Sequence, residues 1–239
     1  MISRFVSRRW RLLTLLVAAA VIGMGSLGVW QAQRLGERRT LSADIQARLA
    51  APVVELTAAD VDPAALDYRH VRVTGTYDPS TEIILRNQAR QDAPGVHLLT
   101  PLRLAGSDQA VLVDRGWIPY DAPASQYPAP SGVVAIAGIA RAGQTRQGWL
   151  SPLDPTLTAA MPRLQSWYRV DITRIQEQTP YPLLPVFVQQ TGGFASGALP
   201  AADVDIELSD GPHLSYAIQW FAFAATLLIG YAVLVQKAV

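Results

Sequence analysis

Two long uncharged runs near opposite ends of the chain constrain its folding more than anything between them. Leu12 to Trp30 is nineteen residues without a charge, and Leu214 to Gln236 is twenty-three. At about 1.5 Å per residue each can cross a hydrocarbon core of about 30 Å, and a single segment in lipid satisfies its own backbone only as a helix. The runs predict a membrane protein with transmembrane helices at 12–30 and 214–236, short tails at 1–11 and 237–239, and a central domain at 31–213. All 17 prolines and all 19 acidic residues fall in that central stretch of 183 residues, which is long enough to bury a core of its own. Its 15 arginines against 19 acids give it a net charge of −4, although the whole chain carries +1. Such a domain offers nucleic acid no basic surface, so lipid is an expected partner and nucleic acid is not.

Residue usage removes several kinds of chemistry. With no cysteine there is no thiol nucleophile, thiolate metal site, covalent c-type haem link or disulfide. Lys237 is the only lysine, which leaves the central domain without a phosphate-loop lysine or a Schiff base. Gly23, Gly25 and Gly28 spell G-x-G-x-x-G, but inside an apolar span with no preceding strand, so the match is read as chance. No G-x-S-x-G occurs, and His70, His97 and His213 have no spacing that suits a triad or a three-histidine zinc site. An enzyme is not expected.

Arg4, Arg8, Arg9 and Arg11 precede the first run, as in a signal peptide. The run is longer than the 7 to 15 apolar residues usual for a signal, and helix-compatible sequence follows it to Ala50, so an uncleaved anchor is expected. Arg34, Arg38, Arg39 and Arg48 on the far flank leave the charge rule undecided for the first helix. Lys237 decides it for the second, placing both termini in the cytoplasm and the central domain outside. Small residues recur every fourth position, Ala19 and Gly23 on one span and Ala222, Thr226 and Gly230 on the other. Such stripes let helix backbones approach, or simply face lipid.

Within the central domain, six runs rich in β-branched and aromatic residues read as strands: Val71–Tyr77, Glu82–Arg86, His97–Leu104, Ala110–Ile118, Val133–Arg141 and Val186–Gln190. Pro, Gly and Asp punctuation between them points to hairpins, hence to a mostly antiparallel β domain. Helical patterns occur at Arg34–Leu49, continuing the first span, and at Asp171–Gln178, where Asp171 can cap. The fold class is α+β. With both anchors entering one face, the β domain would roof the helix pair, a setting for an amphipathic ligand or a membrane-protein client.

Three groups of residues could carry chemistry. His213 opens the second helix and shares a face with Tyr216, Ala217, Trp220 and Ala224, so an imidazole would stand above an aromatic and small-residue stripe. A flat apolar ring holding a metal could use that stripe, although a polar helix start with an interfacial aromatic belt is the commoner arrangement. Trp30, Arg34 and Arg38 recur at i, i+4 and i+8, two guanidinium groups in line above an indole that could clamp carboxylates, or pair with Glu37. Asp114-Arg115-Gly116-Trp117 ends the four-residue apolar stretch Ala110 to Val113, where Gly116 would relieve crowding or form a bulge. A structural part in a hairpin is the commoner role for such a block.

Taken together, Leu27-Gly28-Val29-Trp30-Gln31-Ala32-Gln33-Arg34, Val111-Leu112-Val113-Asp114-Arg115-Gly116-Trp117-Ile118-Pro119 and His213-Leu214-Ser215-Tyr216-Ala217-Ile218-Gln219-Trp220-Phe221 resemble the Surfeit locus protein 1 family of cytochrome c oxidase assembly factors. Gly95-Val96-His97-Leu98-Leu99-Thr100-Pro101-Leu102 is a looser fourth match. Asp114 stands where the family usually has Asn, Gln219 where Thr is frequent, and Val96 where an aromatic is usual. The resemblance implies help in bringing haem a to oxidase subunit I, with haem A synthase as a further partner, in the bacterial cytoplasmic membrane. It implies His213 as the ligand of the haem iron. Tyr216 and Trp220 would then lie along the ring, and Arg34, Arg38 or Arg115 would be candidates to meet the propionates. A scaffold or accessory subunit that never holds haem is the alternative.

Overall fold

The computed structural model describes residues 8–59, 61–146, 148–192, 198–202, 204 and 206–237. In chain order the elements are α1 (Arg11–Ala50), β1 (Val54–Glu55), α2 (Pro63–Leu66), β2 (His70–Tyr77), β3 (Ile83–Arg90), β4 (Ala93–Leu104), β5 (Ala110–Pro119), β6 (Val133–Ala142), β7 (Ser166–Trp167), α3 (Ile172–Gln176), β8 (Leu183–Gln190) and α4 (His213–Lys237). They fall into two units, Met1–Gln46 with Glu207–Val239, and Ala47–Ile206. This is the expected membrane α+β architecture, two long apolar helices flanking a central β-rich domain. The β unit begins at Ala47 and not at Gln31, because the polar half of α1 continues the apolar half without a break and belongs with the helices.

Both α1 and α4 are long and apolar enough to cross a membrane. Pro52 stands just beyond the end of α1, where its ring drives the preceding residue out of helical geometry. At the other end of the chain the Pro212 carbonyl accepts the first helical bond of α4, from the Tyr216 amide at 3.1 Å. The two helices are antiparallel: Thr14 meets Tyr231, and Gln31 meets His213. Gly28 on α1, and Ala217, Ala224 and Tyr231 at seven-residue spacing on α4, are buried and mark the face along which the two helices meet. A Cβ at Gly28 would lie 2.8 Å from the Phe221 ring, so this glycine is what admits the ring to the seam.

That seam differs from the stripes read in the sequence. Gly23 and Gly230 have open space where a Cβ would be, and Ala19, Ala222 and Thr226 are exposed. Small size marks a face that can pack; the polar partners across the seam decide which face does. Tyr231 donates to Thr14 Oγ1 at 2.6 Å, since the Thr14 hydroxyl proton goes to the Trp10 carbonyl at 2.9 Å. Leaving such groups in hydrocarbon unpaired costs more than packing one small stripe in place of another gains.

In the second unit the sheet runs β1-β2-β6-β8-β5-β4-β3-β7, and β2 also pairs with β4 through Gly75–Tyr77 and Leu102–Leu104. Five strands therefore close on themselves, β2-β6-β8-β5-β4 and back to β2, with no free edge among them. Alternation supplies the filling: Val71, Val73 and Tyr77 of β2 point inward with Leu102, Leu104, Val111, Val113, Ile136, Val186 and Val188. The other face buries Ile83, Leu85, Leu99, Leu112 and Phe187 under Trp167, Val170 and α3. As expected, Asp171 caps α3, accepting from the Arg174 amide at 3.3 Å. All six predicted strands are present, most extended by a few residues. Pairing is antiparallel except for β5–β8 and the two-residue strands β1 and β7, which pair parallel.

Candidate functional site

In the helical unit the residues around His213 form a small constellation at the edge of the α4 apolar run. Opening a helix after Gly211-Pro212 turns the His213 ring across the seam, where Nδ1 lies 2.8 Å from Oε1 of Gln31 on α1. A carboxamide oxygen only accepts, so Nδ1 is the donor in this bond, and in the neutral ring the lone pair is then on Nε2. Among the described residues, no group bonds Nε2. The ring is half-buried, and Ala217, one turn on, is 5% exposed in the seam below it. Tyr216 is turned aside and 46% exposed; Trp220 is half-buried and meets Phe223 edge to face at 6.2 Å. The helix face drawn from spacing thus holds for His213, Ala217, Trp220 and Ala224, with Tyr216 at its margin.

Arg34 lies one turn beyond Gln31 on α1. Its guanidinium stands 5.9 Å from the Trp30 ring centre and binds Glu37 at 2.8 Å, with both charged side chains more than half exposed. An exposed i, i+3 pair of this kind is worth well under about 1 kcal/mol, so Arg34 can exchange Glu37 for another carboxylate at little cost. Gln31 was not singled out from the sequence. The signal was available, since Gln31 is a polar side chain one residue beyond a membrane run, which needs a partner when a second helix covers it.

Arg115 lies in the other unit and is 1% exposed. In the β4–β5 ladder Leu98 faces Gly116 and Leu99 faces Asp114, which leaves Arg115 as the extra residue of a β-bulge. The bulge places its guanidinium among the inward-facing residues at one end of the barrel. There Nη1 donates to Glu82 Oε2 at 2.9 Å, Nη2 to the Tyr127 carbonyl at 2.7 Å, and the Tyr77 ring centre lies 5.9 Å away. Thr100 Oγ1 donates to the same Glu82 oxygen at 2.5 Å, and Tyr77 donates to Gln190 Oε1 at 3.2 Å. This is a polar plug, and it engages the charge of Arg115 inside the domain. Asp114, on the opposite face, accepts from the Gly116 amide at 3.0 Å and holds His97 Nδ1 at 2.8 Å, so His97 is tied to the same bulge. Among the described residues no cluster of three or more His, Asp or Glu is arranged to hold a bare metal ion.

Burial pushes the Tyr77 phenol up to about 12, against the pull of the Arg115 guanidinium. Its folded value is above the unfolded 10, so the proton is held more tightly when the chain is folded. The associated stability is complete below pH 10 and fades as pH rises through 12, on the order of 2–3 kcal/mol at about 1.4 kcal/mol per pH unit. Denaturant melts of the full chain in detergent between pH 9 and about pH 12 should show this loss, and Tyr77→Phe should remove its share, leaving the part due to Tyr181, whose phenol burial also raises. An equal slope in the variant would remove Tyr77 as its source.

The SURF1 family model matches residues 18–225, which takes in both units. A SURF1-like protein of Monosiga brevicollis is 30% identical, aligned over 93% of this chain and 87% of its own length. A SURF1-like protein of Rickettsia felis is 28% identical over 87% of this chain and 90% of its own. Surfeit locus protein 1 of Mus musculus is 24% identical over 88% of this chain and 71% of its own.

Proposed function

Because the chain belongs to the SURF1 family, we propose that it is a cytochrome c oxidase assembly factor that assists transfer of haem a to subunit I, and that haem a is its cargo and not a resident cofactor. The observation that carries this reading is His213, an imidazole at the edge of a membrane-length helix with Nδ1 bonded to Gln31 at 2.8 Å and Nε2 open. That donor set suits an axial haem ligand: one neutral nitrogen with its ring held by the other. Ala217 and the half-buried Trp220 continue the face into the apolar run, where an apolar macrocycle loses little by leaving lipid. Arg34, free to trade Glu37 for a propionate, is a cation that the helical unit offers, with Arg38 one turn further along the same helix, and Arg115 has no such freedom. A single protein ligand also favours release, since bis-histidine ligation would hold the cargo more firmly.

In this reading the protein works in the bacterial cytoplasmic membrane with the β domain on the external side, beside subunit I and haem A synthase, and it catalyses no reaction. Deleting it and recording reduced-minus-oxidised spectra of membranes tests the proposal. The expected result is a large loss of the haem a signal with subunit I polypeptide still present. A normal haem a signal per subunit I, with less subunit I overall, would instead indicate a scaffold.

A further inference from the structure

We infer that Gln31 is the positioning residue for His213: it selects the imidazole tautomer, aims the ring, and leaves Nε2 as the atom that binds iron. This deepens the proposed function and rests on it. The geometry is specific. Gln31 and His213 are 182 positions apart and reach each other only because α1 and α4 run antiparallel, so their 2.8 Å bond is a cross-helix contact. The Thr14–Tyr231 bond toward the other end of the same seam fixes the helix pair in register, and Gly28 with Phe221 packs between the two. That register keeps Nδ1, rather than Nε2, opposite the Gln31 carboxamide.

The carboxamide also determines which chemistry is available. Its oxygen holds the Nδ1 proton and removes Nδ1 as a donor to metal. With the Nδ1 proton so held, the lone pair of a neutral ring lies on Nε2, the nitrogen left to bind a metal. A partner on the second ring nitrogen raises the basicity of the ligating one, and losing such a partner typically costs about 10- to 100-fold in metal affinity. A carboxamide is the mild form of that support. A carboxylate at the same place would draw the proton further and give the ring imidazolate character.

The test uses the full chain in detergent with hemin as the probe, comparing wild type, Gln31→Leu, Gln31→Glu and His213→Ala. Gln31→Leu should weaken hemin binding by at least tenfold and broaden the low-energy spectral bands, because the ring loses its fixed orientation. Gln31→Leu should raise the Fe(III)/Fe(II) midpoint potential and Gln31→Glu lower it while binding as wild type does; the first shift adds no charge, so a purely structural contact between helices would not produce it. If Gln31→Leu fails to fold, Gln31→Met supplies the same uncharged comparison. Wild-type affinity and potential in both Gln31 variants, with binding lost in His213→Ala, would overturn the positioning role and leave His213 as the ligand. Unchanged binding in His213→Ala would overturn both readings at once.

Discussion

Arg115→Met should destabilise the β unit by about 3–5 kcal/mol, the usual cost of breaking a buried ion pair from one side. The guanidinium is 1% exposed and holds Glu82, whose side chain is 19% exposed and also accepts from Thr100. Methionine fills much of the same space, so the loss is electrostatic more than a matter of packing: a carboxylate is left in the barrel end without its cation. For a domain whose whole stability is of order 5–15 kcal/mol, this is a large fraction. Denaturant unfolding of the full chain in detergent, followed by tryptophan fluorescence, measures it. Adding Glu82→Gln should restore a good part, since the orphaned charge then disappears, and Arg115→Lys should fall in between because one point charge cannot reach both Glu82 and the Tyr127 carbonyl. A single variant within about 1 kcal/mol of wild type would show that Glu82 is adequately solvated without its partner.

The burial of Arg115 also marks the limit of what the sequence made legible. The strands could be read because their residues alternate, as in His70–Tyr77, where every second position is buried. The membrane helices could be read because uncharged runs of that length have few alternatives. Asp114-Arg115-Gly116 was recognised as a strand irregularity, but a bulge sends its extra residue to one face or the other, and the linear pattern does not say which. A charged pair at the end of an apolar run therefore reads as part of a hairpin, with nothing to mark it as interior, whereas β5 is buried along nearly its whole length. The parallel β5–β8 pairing was hidden for a related reason. The two strands are more than sixty residues apart, and only barrel closure brings them together. At the candidate site His213 was legible and its support was not, because Gln31 becomes significant only once α1 and α4 are known to pair antiparallel. Local chemistry names candidates; the partner that fixes a tautomer or neutralises a charge comes from distant chain.

Gly116→Ala is expected to cost roughly 3–4 kcal/mol, combining backbone strain of about 1–2 kcal/mol with the loss of a strand bridge. Two separate demands meet at this residue. Its φ is +122°, a conformation an L side chain adopts only under strain, and a Cβ would come within contact distance of the Ala201 carbonyl, which is backbone and has no rotamer to change. That carbonyl accepts from the Trp117 amide at 3.0 Å, and the Ala201 amide returns a bond to the Trp117 carbonyl at 2.8 Å, so displacing it breaks a reciprocal pair. Gly106→Ala separates the two terms. Gly106 has φ of +78° but nothing within 4 Å of a Cβ, so alanine there meets the strain alone and should cost about 1 kcal/mol. The same unfolding measurement compares them: Gly116→Ala should lose at least twice what Gly106→Ala loses. The Asp114 bond to the Gly116 amide should weaken in parallel, loosening the His97 ring held by the same carboxylate, which ring-proton NMR of His97 would report. Equal losses in the two variants would mean that the segment at Ala201 yields freely, and that the bulge owes its shape to β4 and β5 alone.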